Sequence, residues 1–199
     1  MKLKLIHILS LLAVTILLSA CFGDADPKIP SLAETYSKKD KRPFGTDIAF
    51  RQLEAMYPSQ VIREKKLDFK KTWQGISDTG ALYVCIAQKL FVDDDEAEAM
   101  MDFVHAGNSL FISATVIDDI LLDKIGSNMV STDPMMERAL GIMLQTGVHA
   151  AAEPGSAYAY YYYPFQNYFI TVDSSNTRVL GYNDMHKPNL IVHFYGRGK

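Results

Sequence analysis

The sequence predicts an α/β fold of the flavodoxin-like kind, a parallel sheet with helices on both faces and an antiparallel β elaboration in the C-terminal part. Three observations predict it. Between residues 32 and 126 short apolar runs alternate with helical patterns, an arrangement that demands βαβ crossovers. The run Ala81 to Ala87 is almost continuously apolar, as in a strand covered on both faces. Beyond residue 126 β-type runs separated by turn clusters take over.

Leu32 to Ser37 reads as a first strand. Thr46 to Tyr57 places Ile48, Phe50, Leu53, Ala55 and Met56 in an amphipathic helical pattern that Pro58 ends. Val61 to Lys65 is a short strand and Ala81 to Ala87 a central one. Asp93 to Ala106 repeats Ala97, Met100, Met101, Phe103 and Val104 at helical spacing, with Gly107-Asn108 as its stop. Its opening acids, Asp93, Asp94, Asp95 and Glu96, invite a metal reading. They begin a helix, however, where carboxylates cap free N–H groups and complement the dipole, and EF-hand spacing is absent. Leu110 to Val116 is β-branched and apolar, a further strand, and Asp118 to Ile125 is a short helix ending at Gly126. A Met-rich stretch holds a helix from Pro134 to Leu144, proline being accepted in a first turn. Ala157 to Phe165, Tyr168 to Val172, Thr177 to Tyr182 and Leu190 to Tyr195 are strands. The tyrosine run from Tyr158 to Tyr163 points alternately to both faces of its strand, so at least one face packs on protein, a partner or a sugar. The chain stops at Lys199 directly after a core strand, which leads us to expect a truncation there.

The N-terminus carries an address. Lys2 and Lys4 form a positive n-region, Leu5 to Leu17 an apolar h-region, and Ser19 and Ala20 are small residues before a cut. Leu18-Ser19-Ala20-Cys21 resembles the bacterial lipobox, in which the Cys thiol is diacylated and becomes the first residue of the mature chain. The apolar stretch is shorter than the roughly 20 residues that span a bilayer, which disfavours a membrane-crossing anchor. Each buried acyl CH₂ contributes about 0.8 kcal/mol, so two chains anchor stably where one is marginal. Cys21 is thus the expected membrane contact, residues 1–20 the signal peptide, 21–31 a tether rich in Pro, Gly and Asp, and 32–199 the folded domain.

Loss of Lys2 and Lys4 takes the formal charge from −3 to −5, which offers nucleic acid no electrostatic footprint. Cys85, the other cysteine, lies inside an apolar run and reads as a small buried hydrophobe. His105, His149, His186 and His193 show no paired spacing for zinc. Neither metal nor cofactor is expected.

Two stretches carry a resemblance. Glu34-Thr35-Tyr36-Ser37-Lys38-Lys39-Asp40-Lys41-Arg42-Pro43-Phe44-Gly45-Thr46 leads into an amphipathic helix, and Phe103-Val104-His105-Ala106-Gly107-Asn108-Ser109-Leu110-Phe111-Ile112 links a helix to a strand. Together they resemble an uncharacterised family of bacterial envelope proteins, a domain of unknown function with a class I glutamine amidotransferase-like fold. The resemblance spans Leu32 to Lys199, and Pro-Phe-Gly-Thr is its most telling motif. It implies a genetic neighbourhood with MoxR-type ATPases, and hence envelope assembly or regulation.

Active amidotransferases carry a nucleophilic Cys on a glycine-flanked strand-to-helix turn. Here Leu110 to Ile112 runs into Ser113-Ala114-Thr115-Val116-Ile117 without such glycines, and His186 and His193 have no adjacent acid to form a relay. A pseudo-enzyme is expected, with Ser113 as the alternative nucleophile of a hydrolase or amidotransferase-like enzyme. In open α/β sheets ligands bind at the carboxyl ends of strands. That selects the loop Ser37 to Thr46, where Lys41, Arg42, Gly45 and Thr46 precede a helix and are candidates for holding an anion, together with Ser113 to Asp118. A solvated basic turn with Thr46 as N-cap is the plainer reading of the first loop. The sequence therefore predicts a lipid-anchored envelope protein whose domain binds or scaffolds other envelope proteins, with its domain outside the cytoplasm.

Overall fold

The computed structural model describes residues 31, 33–65, 68–74, 79–132, 144–152, 157–162 and 167–199, with backbone alone at 144–146 and 157–162. It divides into two units, Met1–Ile48 and Ala49–Lys199. In the first, residues 33–46 form a loop closed on itself. Tyr36 N–H donates to the Phe44 carbonyl at 2.8 Å and Thr46 N–H to the Ser37 carbonyl at 2.9 Å. The Tyr36 and Phe44 rings meet edge to face with centroids 6.1 Å apart. Tyr36 has a φ of 46°, in the left-handed region that breaks an extended run. The strand expected over Leu32 to Ser37 is accordingly not formed by residues 33–37, which are irregular.

Helix α1, Asp47–Met56, forms where its spacing predicts but buries none of its residues. Residues 61–65, expected as a strand, are irregular and exposed. Beyond Val61 and Ile62 the stretch reads Arg-Glu-Lys, which gives a sheet no apolar face to bury.

The core of the second unit is built around a helix. Strand β1, Leu82–Leu90, pairs in parallel with β2, Ser109–Ile117, from Leu82 opposite Ser109 to Leu90 opposite Ile117. Between them runs α3, Asp94–His105, preceded in the chain by the short α2, Phe69–Trp73, and followed after β2 by α4, Asp119–Lys124. The apolar spacing of α3 buries Ala97, Ala99, Met100, Met101, Phe103 and Val104. Phe69, Tyr83, Leu110, Ile112 and Leu121 pack into the same cluster. Phe103 receives Phe69 and Trp73 edge-on, at 5.3 and 6.1 Å between centroids. Burying each such large apolar side chain contributes about 1.5–3 kcal/mol, so α3 is the main adhesive of the unit.

The acids at the head of α3 act as caps. Asp93 accepts from Glu96 N–H at 2.8 Å. In a capping box Glu96 would return to the N-cap. Instead it accepts from Phe69 N–H at 2.6 Å, supplying the first turn of α2 with the partner and the negative charge that a helix start favours.

The other end of α3 closes on Asn108. Its buried carboxamide accepts from Ala81 N–H and donates to the Phe103 carbonyl, both at 2.9 Å. The last residues fold over this junction. Arg197 donates from Nη2 to the Ala106 carbonyl at 3.0 Å, and Tyr195 meets the His105 ring at 5.4 Å between centroids. At Gly198 a Cβ would lie 2.2 Å from the carbonyl oxygens of both Val104 and Asn108, so only glycine permits this approach.

The remaining strands are antiparallel, as the C-terminal turn clusters predict. β3, Asn128–Val130, pairs with β6, Tyr168–Thr171. β4, Leu144–Ala150, β5, Ala157–Tyr162, β7, Thr177–Asn183, and β8, Pro188–His193, form a sheet in the order β5-β4-β7-β8. Residues 133–143, where a helix from Pro134 was expected, lie outside the described residues; Leu144, its expected end, opens β4. The architecture is a mixed α/β fold in which a parallel pair adjoins antiparallel sheets, and among the described residues the parallel sheet has two strands. Among those residues no helix is long and apolar enough to cross a membrane.

Because Gly198 admits no side chain, Gly198→Ala should undock the tail and destabilise the protein by about 1–3 kcal/mol, the usual cost of overpacking. Urea unfolding of the two proteins measures this, and an unchanged midpoint would show that the tail contributes nothing.

Candidate functional site

The basic loop spends its polar groups on itself. Asp40 accepts from three donors of Arg42: the backbone N–H at 2.9 Å, Nε at 3.0 Å to both carboxylate oxygens, and Nη2 at 2.8 Å. Thr35 Oγ1 donates to the same carboxylate at 2.5 Å. These donors hold the Asp40 carboxyl far below the usual carboxylate range, and Asp40 in turn raises Arg42. Gly45 N–H donates to the Arg42 carbonyl at 2.8 Å, and Thr46 Oγ1 to the Tyr36 carbonyl at 3.2 Å. A Cβ on Gly45 would fall 1.9 Å from the Asp40 carbonyl oxygen, so the glycine serves loop closure. Lys41 is exposed beside this network. An incoming anion would meet a guanidinium already neutralised by a carboxylate.

Ser113 lies in the other unit and inside β2, opposite Ile86. The expected loop from Ser113 to Asp118 is a strand as far as Ile117, because the β-branched residues of β2 continue to pair with β1 up to Leu90. Asp118 then caps α4, accepting from Ile120 N–H at 3.1 Å. A serine within a paired strand lacks the sharp turn that exposes a nucleophile. Cys85, paired with Ile112, is likewise mid-strand, and burial pushes its thiol pKa up, away from the reactive thiolate. Cys21 lies outside the described residues.

The structure assembles a cluster that spacing did not announce. The turn after β7 is organised by buried Asn183, whose Oδ1 accepts from the N–H groups of Met185 and Lys187, both at 3.0 Å. This turn presents Asp184 to β4: Oδ2 accepts from Gly147 N–H at 2.7 Å, while Oδ1 stands 3.2 Å from His149 Nε2. His186, held at a φ of 57°, stacks on His149 with centroids 5.8 Å apart and planes inclined by 22°. Asp184 can orient the His149 ring through this contact. Among the described residues no hydroxyl or thiol bonds to either ring, so the pair has no nucleophile to activate there. Among the described residues no three His, Cys, Asp or Glu side chains can hold a metal ion. The only local signal was Asp184-Met185-His186 in a turn; its partner is 35 residues away.

His193 has a different environment. With Nδ1 unprotonated, it accepts from Thr177 Oγ1 at 2.8 Å. Burial lowers its pKa, and the negative charge of Asp173 opposes the shift. No family model, curated protein or solved structure matches the chain.

The His193 shift has a definite sign. The folded protein takes up this proton at lower pH than the unfolded chain does. Stability is therefore full above the ordinary imidazole value of about 6.5 and is lost as pH falls from there through the folded value. His193→Asn, which retains an acceptor near the Nδ1 position, should show a shallower decline in urea midpoint between pH 7 and pH 5 than the parent. Equal declines would remove His193 from the pH response.

Proposed function

We propose that this chain is a lipid-anchored protein of the bacterial cell envelope that acts as a non-catalytic binding or scaffolding module. The observation that carries the reading is Leu18-Ser19-Ala20-Cys21 closing an apolar run behind Lys2 and Lys4, the sequence that directs acylation of Cys21. Two acyl chains hold a domain at a membrane without a spanning helix. The places of Ser113 and Cys85 within paired strands favour binding over catalysis.

The finer fold reading, a flavodoxin-like or amidotransferase-like domain, is supported by the β1–α3–β2 unit with its apolar parallel strands. The resemblance adds envelope assembly, with protein partners of a MoxR-type system, as the setting for such a module. Residues 22–31 would then be the tether that spaces the domain from the lipid surface.

Metabolic labelling with an alkyne fatty acid, followed by membrane fractionation, tests the anchor. The parent protein should carry the label and sediment with membranes, whereas Cys21→Ala should carry none and leave the membrane fraction. An unlabelled parent would defeat the proposal.

A further inference from the structure

We draw no further inference here: the strongest candidate, the apolar face of helix α1 on which Ile48 and Met56 are exposed, carries nothing because nothing among the described residues shows what covers it.

Discussion

The carboxamide of Asn108 is the joint on which the second unit turns. A buried side-chain amide must place both its donor and its acceptor, because leaving either unpaired costs about 1–3 kcal/mol. Asn108 spends its acceptor on Ala81, just before β1, and its donor on Phe103, in the last turn of α3. Its main-chain carbonyl takes the Lys199 N–H. One residue thereby fixes where β1 begins, where α3 ends and where the tail runs. The apolar face of α3 supplies most of the stabilisation, but hydrophobic burial has no direction of its own. The Asn108 hydrogen bonds supply the register.

Similar side-chain bridges recur at the other junctions. Glu96 ties the start of α3 to the start of α2. Asn167, ahead of β6, bonds both to Thr115 on β2 and to Thr132 beyond β3. Asn183 shapes the turn that brings Asp184 to His149. Asn108 and Asn167 each accept and donate, whereas Glu96 and Asn183 act through acceptor oxygens alone. These joints hold His149 and His186 stacked beside Asp184.

How much of this could be read from the chain depended on period. α3, β1, β2, β7 and β8 were legible because their apolar residues recur at helical or strand spacing over most of two turns or a full strand. The five residues of α2 are too few for a helical period to show, and β4 hides its strand character behind Gly147 and His149. Leu32 to Ser37 has a strand-like pattern, but Tyr36 turns left-handed so that the loop can close on Phe44. Ser113 looked like a strand end because Ser and Ala interrupt the apolar run, whereas pairing with Ile86 and Ala87 carries the strand through. The candidate sites were less legible than the fold. The engagement of Arg42 with Asp40 is local and could be seen as two neighbouring opposite charges. The cluster of His149, Asp184 and His186 depends on folding distant segments together, and no spacing in the chain announces it.

The central claim, that Asn108 couples the α3–β1 junction to the docked tail, is tested most directly by a double-mutant cycle between Asn108→Ala and Gly198→Ala, measured by urea unfolding. If the two positions act as one joint, the loss in the double variant should fall short of the sum of the single losses by about 0.5–3 kcal/mol. Strict additivity would mean that the tail and the Asn108 junction are independent and would contradict the account.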